Sequence, residues 1–218
     1  MTLEAIVIET APSPDAAVIW LHGLGADGHD FEPVVPELRL PAGLRLRFVF
    51  PHAPLRPVTI NQGMRMRAWY DIFQFGGGAE DENGIRASQE LIRGLMAGEK
   101  TRGIHAERIV IAGFSQGGAI ALQTALRYPE KLAGVLALST YLPLAGTLAK
   151  ERSEANAAVP IFMAHGHYDD LIPIARAEQS RKTLVSLGYR VAWHAYPMPH
   201  SVCAEEIAAI AQFLVRIL

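Results

Sequence analysis

The chain has 218 residues, half of them apolar and 19% charged, with a formal net charge of −2. A domain of this size buries roughly 70% of the surface its unfolded chain exposes, and the near-neutral balance gives no electrostatic footing for nucleic acid or an anionic membrane. A single cysteine, Cys203, excludes an intrachain disulfide and suits a reducing compartment.

The start, Met1-Thr2-Leu3-Glu4-Ala5, lacks the basic and apolar segments of a signal peptide. No stretch approaches the ~20 apolar residues that span a bilayer. The expectation is a cytoplasmic chain with no stable membrane insertion. Short β-type runs at 5–8, 18–21, 46–50, 108–112, 134–138, 161–164 and 190–196 alternate with helical patterns, and no linker or repeat divides them. That alternation predicts a single α/β domain over 1–218, a mostly parallel sheet with helices on both faces.

Three helices carry end signals. Asn83 is placed to cap a helix with Ile85, Ser88, Leu91, Ile92 and Leu95 on one stripe, stopping near Gly98. Pro173 suits the first turn of a helix that ends at Gly188. Ser201 is placed to cap the last helix, with Glu205 and Glu206 near its positive end. Two connections are long. The first, 51–68, reads as a flap beside a site, because structureless connections of that length are usually functional. Its exposed apolar residues also offer a homodimer contact. The second, 139–159, is too short for a cap domain and leaves the site fairly open.

At the centre is Gly113-Phe114-Ser115-Gln116-Gly117, preceded by the apolar run 109–111 and followed by a helical run, 119–126. This is the G-x-S-x-G pattern of a strand-to-helix turn that exposes a nucleophilic serine. Side chains at the glycines would collide as the chain reverses, and the serine occupies a strained backbone conformation. A serine hydroxyl needs a base. Of the eight histidines, His105 precedes its strand and His194 reads as a strand side chain, whereas His200 follows the last strand on the same side as Ser115. The orienting acid falls between them in chain order, where Asp169 and Asp170 are both available and chain physics does not choose. The second carboxylate would cap the helix near Pro173. Oxyanion donors fall to the backbone N–H of Gln116 and, from the glycine turn after an early strand, Leu24. Asp27 and His29 brace that turn, and Cys203 reads as a small buried side chain on the last helix.

His22-Gly23-Leu24-Gly25, Ala68-Trp69-Tyr70-Asp71, the serine turn extended to Gly118, His165-Gly166-His167-Tyr168-Asp169 and Pro199-His200 occur in that order. Together they resemble the carboxylesterase and acyl-protein thioesterase family of the α/β-hydrolase fold, and most nearly its bacterial carboxylesterase branch. The resemblance implies Ser115 as nucleophile, Asp169 as the acid and His200 as the base, with oxyanion donors at Leu24 and Gln116. It implies no cofactor and no metal, and a small-molecule ester as the partner. Tyr141 stands where thioesterase-type members carry tryptophan and Asp170 where they carry proline. The expectation is therefore a serine carboxylesterase for short- to medium-chain esters, with acyl-protein thioesterase or lysophospholipase activity as the alternative. Trp69, Tyr141, Leu171, Ile60 and Met64 become acyl-pocket candidates. Two rivals are weaker. A metallohydrolase built on His165-x-His167-x-Asp169 with His22 or His200 leaves the serine turn unexplained. A binding protein without turnover would be expected to lack part of the triad.

Overall fold

The computed structural model describes residues 3–74 and 78–218 of the chain. In chain order its strands are β1 (Ala5–Glu9), β2 (Ala16–Leu21), β3 (Leu46–Pro51), β4 (Leu55–Val58), β5 (Met64–Arg67), β6 (Ile109–Phe114), β7 (Gly134–Leu138), β8 (Ile161–Gly166) and β9 (Val191–Tyr196). The helices are α1 (Val34–Glu37), α2 (Glu82–Thr101), α3 (Gln116–Ala125), α4 (Ala145–Glu151), α5 (Ile174–Ser186) and α6 (Ala204–Ile217). All seven predicted strands appear, joined in one sheet of order β1-β3-β2-β6-β7-β8-β9. β1 runs antiparallel to β3, and the other neighbours are parallel.

The period of two along each strand sorts side chains into two cores. In β2, Ala17, Ile19 and Leu21 join a layer with Ile85, Ile92 and Met96 of α2 and with α3. Ala16, Val18 and Trp20 face the other way, in a layer with Ile210, Phe213 and Leu214 of α6. Residues such as Trp20, Phe48 and Phe50 are fully buried, each stabilising the fold by about 1.5–3 kcal/mol. This two-sided cover is why the central strands read as unbroken apolar runs.

Strand order also fixes where a site can form. The chain steps from β2 outward to β3, then crosses back to β6 and proceeds to the other edge. β2 and β6 are therefore the switch point, and the crevice beyond their carboxyl ends is where open α/β sheets bind ligands. Leu21 pairs with Gly113 there, so the glycine turn after β2 and the serine after β6 emerge side by side.

Several boundaries differ from expectation. Asp81, not Asn83, caps α2 by accepting the Gly84 N–H at 2.9 Å. That helix passes through Gly98 and stops at Gly103, whose φ of +97° allows the Ile104 N–H to turn back to Glu99 O at 3.1 Å. The α5 end at Gly188 is as expected, with φ +92°. The last helix starts at Ala204 after Cys203, which is half-buried at its N-cap rather than buried within the helix, and Ser201 provides no cap. The connection 51–68 is not structureless: β4 and β5 pair as an antiparallel hairpin across a 3₁₀ turn. Strands of four residues, one holding Arg56 and Pro57 and the other Arg65 and Arg67, gave the apolar pattern little to show.

Candidate active site

Ser115 ends β6 and begins α3 with φ +55° and ψ −120°, a conformation costing on the order of 1–3 kcal/mol for a residue with a side chain. Its surroundings hold it there. The Ser115 N–H donates to Leu138 O at 2.8 Å, and its carbonyl accepts the Thr140 hydroxyl at 2.6 Å and the Ala119 N–H at 3.1 Å. The flanking glycines are required by contact, not by φ. A Cβ on Gly113 would land on the Gly117 carbonyl, and one on Gly117 would land on the carbonyls of Leu21 and His22.

The His200 imidazole comes from the loop after β9. Its Nδ1 lies 2.7 Å from Asp169 Oδ2. A carboxylate only accepts, so Nδ1 carries a proton, and in the neutral imidazole the lone pair falls to Nε2. The Phe114 ring, 4.7 Å away between centroids, backs the imidazole. Asp169 is buried, and its Oδ1 accepts the N–H groups of Leu171 at 3.0 Å and Ile172 at 2.8 Å. Asp170 is exposed and α5 has no side-chain cap, so the expected division of labour between the two acids does not occur. Asp169 both meets His200 and satisfies the turn.

Two features of this acid–imidazole arm were not read from the sequence. A Cβ on Gly166 would strike the carbonyls of Met198 and Pro199, so glycine there lets the His200 loop close onto the end of β8. His167 and Tyr168 fasten that loop through N–H bonds to Tyr196 O (2.8 Å) and Met198 O (3.1 Å). Next to it, the fully buried His165 places Nε2 2.7 Å from Ile172 O and 3.1 Å from Asp169 Oδ2. The carbonyl requires that nitrogen to hold the proton, and burial pushes the ring's pKa down, which keeps it neutral. That N–H serves the Ile172 carbonyl, and the neutral ring packs against Asp169 Oδ2 on its buried side.

The glycine turn after β2 is braced just as closely. His22 Nε2 accepts the Ala53 N–H at 3.0 Å, so its Nδ1 is protonated and donates to Gly23 O at 2.7 Å. Burial lowers its pKa to about 4. Trp69 is fully buried, donates through Nε1 to His22 O at 2.9 Å and through its backbone N–H to Gln116 Oε1 at 2.7 Å. Gln116 Nε2 in turn donates to Tyr70 O at 2.8 Å. Trp69 is therefore a strut between the two turns and not an acyl-pocket residue. Its WY neighbourhood and the glutamine next to the serine carried no cue to this pairing, because it joins residues 47 apart. As expected, Asp27 braces the turn, accepting the His29 N–H at 2.9 Å.

These elements surround a cavity of about 310 Å³ whose lining includes Leu24, Ser115, Gln116, Tyr141, Leu171 and His200. The backbone N–H of Gln116 is the first of α3 and has no intrahelical acceptor. Of the predicted pocket residues, Tyr141 and Leu171 are there, whereas Ile60 and the exposed Met64 are not. No part of 51–68 lines the cavity, so the flap reading is replaced: residues 70–74 and 78–80 form that wall instead. From 139–159 only Tyr141 contributes. Among the described residues no group of three or more His, Cys, Asp or Glu side chains is arranged to hold a metal ion. His22, His165 and His200 are each engaged as above.

A strained serine on a strand-to-helix turn at the switch point, sharing one cavity with a histidine that is held by a buried carboxylate, defines an α/β-hydrolase of the serine ester-hydrolase class. The chain belongs to the Phospholipase/Carboxylesterase family, whose profile it matches over residues 3–218. It is 41% identical to acyl-protein thioesterase 1 of Gibberella zeae over 219 residues, 96% of this chain and 93% of that one. With acyl-protein thioesterase 1 of Neurospora crassa it shares 44% over 209 residues, 91% and 85% of the two chains. Among solved structures it superposes on Arabidopsis thaliana SOBER1 with a TM-score of 0.88 at 29% identity, covering 92% of this chain and 98% of that one. Zea mays acyl-protein thioesterase 2 gives 0.86 at 27%, with 98% of each covered. These relatives are eukaryotic and three of the four are named acyl-protein thioesterases, so the bacterial-branch placement drawn from Ser139-Thr140-Tyr141 and His167-Tyr168-Asp169-Asp170 is not supported, and the assignment stands at the family. Among the described residues no helix is long and apolar enough to cross a membrane.

Proposed function

We propose that the chain hydrolyses acyl thioesters and carboxylic esters through an acyl-enzyme on Ser115. The observation that carries this is the 2.7 Å His200–Asp169 pair, which turns His200 Nε2 away from the carboxylate on the wall of the cavity that Ser115 also lines. In the first step Ser115 Oγ attacks the acyl carbonyl and gives its proton to His200. The backbone N–H groups of Leu24 and Gln116 take the oxyanion, a donor of this kind being worth ~10²–10³ in kcat. The tetrahedral adduct collapses, the carbonyl carbon's bond to the alcohol or thiol breaks, and His200 protonates the leaving group. Water then repeats the sequence on the acyl-enzyme, while Asp169 stays ionised and stabilises the imidazolium.

The thioester assignment, an acyl-protein thioesterase reading, is supported by the names of the fungal relatives. A second reading, hydrolysis of short- to medium-chain oxyesters, is favoured by the cavity itself. At about 310 Å³ it lies at the small end of ligand pockets, which run roughly 300–1,000 Å³. Acyl thioesters and oxyesters of increasing chain length, assayed on the native chain and on Ser115→Ala, separate the two. Thioester preference with long chains favours the first and an early optimum on oxyesters the second. Undiminished turnover by Ser115→Ala, or labelling of another residue by a serine-directed phosphonate, refutes both.

A further inference from the structure

Part of the cavity lining is not suited to a plain hydrocarbon. Tyr70, Tyr141, Glu80 and Arg176 all contribute to it. The buried hydroxyls of Tyr70 and Tyr141 lie 2.8 Å apart. One O–H serves that bond, and the other has its proton left for a further acceptor. The Arg176 guanidinium stacks on the Tyr141 ring, 3.4 Å from its centroid, instead of on a carboxylate. Glu80 accepts the Leu144 N–H through Oε2 at 3.0 Å, while its Oε1 is buried and has no partner among the described residues. An alkyl chain pressed against the guanidinium and the tyrosine hydroxyls would return no hydrogen bond to them.

The complement is a neutral group that both accepts and donates. It accepts from the spare tyrosine hydroxyl or the guanidinium, and it donates to the Glu80 carboxylate in the same lining. A carboxylate would meet Glu80, with Asp30 and Asp71 in the same lining, and an ammonium would meet Arg176. A hydroxyl or a primary amide meets neither objection. The group belongs on the acyl half of the substrate, because that half stays on Ser115 between the two steps while the alcohol or thiol has to leave.

We infer that the cavity is built for an acyl chain bearing a hydroxyl or amide group, held between Arg176 and Glu80. This rests on the acyl-enzyme reading above. The test compares esters of one common alcohol with matched acyl size: heptanoyl, 6-hydroxyhexanoyl, the monoamide of adipic acid and its free ω-carboxylate, with shorter and longer homologues. The wild-type chain should prefer the hydroxyl or amide ester over its alkyl match by about tenfold in kcat/KM, the value of a hydrogen bond to a charged group. In Arg176→Met that ratio should fall towards one. Because the ratio is taken within each variant, partial misfolding cancels. Which polar ester is better assigns hydroxyl or amide. An alkyl ester equal to or better than its polar matches at every length overturns the inference. So does a winning ω-carboxylate, or a preference that survives in Arg176→Met. All three leave the acyl-enzyme reading intact, whereas no Ser115-dependent turnover of any ester sinks both.

Discussion

Glu206 lies in the first turn of α6, where the helix dipole favours a negative charge by about 0.3–1 kcal/mol. Its side chain is nevertheless fully buried, and burial pushes its pKa up to about 8, opposed only in part by the Cys203 backbone N–H. Desolvation therefore wins over the dipole, and the carboxyl is protonated at neutral pH. A folded pKa above the unfolded value near 4.5 means that the group's favourable contribution is complete below that value. It is lost as pH rises, and is gone above about 8. At 1.36 kcal/mol per unit, wild-type stability should drop by up to ~4 kcal/mol between pH 5 and pH 8 from this group alone. Glu206→Gln keeps the shape and cannot ionise. Urea melts of both proteins at pH 5, 6.5 and 8 read the effect, and the variant should overtake the wild type as pH rises. At ~2–4 °C per kcal/mol for a chain of this size, the gap in Tm at pH 8 should reach roughly 10 °C. If the two proteins lose stability in parallel across that range, the reasoning is wrong and Glu206 is charged or solvated in the native state.

The acid limb has the opposite sign. His22 is buried and neutral with a pKa of about 4, so its contribution is lost as pH falls from about 6.5 to 4, and His22→Gln should flatten that limb in the same melts. Asp169→Asn should lower kcat by ~10⁴ with little change in Tm, while Asp170→Asn, at an exposed position, should leave kcat within error. The reverse pattern in steady-state assays would reassign the acid. Gly117→Ala drives a Cβ into the carbonyls of Leu21 and His22, and should destabilise by at least ~1–3 kcal/mol, measured by denaturant midpoint. Trp69→Phe removes the donor to His22 O without emptying the site. It should reduce kcat more than it changes KM, because the loosened turn carries an oxyanion donor; an unchanged kcat would free Trp69 of that task.

Much of this arrangement was legible from residue order. The seven strands of the sheet were visible because strands covered on both faces must be apolar throughout, and Ser115 and His200 followed from their places after strand ends. Choosing Asp169 over Asp170 was not legible from chain physics. The two are adjacent and chemically identical, and what separates them is that Asp169 turns inward to the N–H groups of Leu171 and Ile172. The hairpin of β4 and β5 was missed because its strands are four residues long and carry Arg56, Arg65 and Arg67. Trp69 was misread because an aromatic beside a site looks the same in sequence whether it faces substrate or, as here, a carbonyl of the opposing turn.

What the sequence by itself determined is periodic or positional: two-sided strands, the helix stop at Gly188, and a serine between glycines whose hydrogens leave room for the chain to reverse. Each depends on interactions within a few residues or on a sheet whose handedness and order are nearly universal. Only the tertiary structure decided which donors and acceptors meet across 30 to 50 residues, among them His22 with Ala53, Gln116 with Trp69 and Asp169 with His200. A hydrogen bond needs its partners placed to a few tenths of an ångström, and that placement exists only once both cores have packed and fixed the loops that the bonds connect.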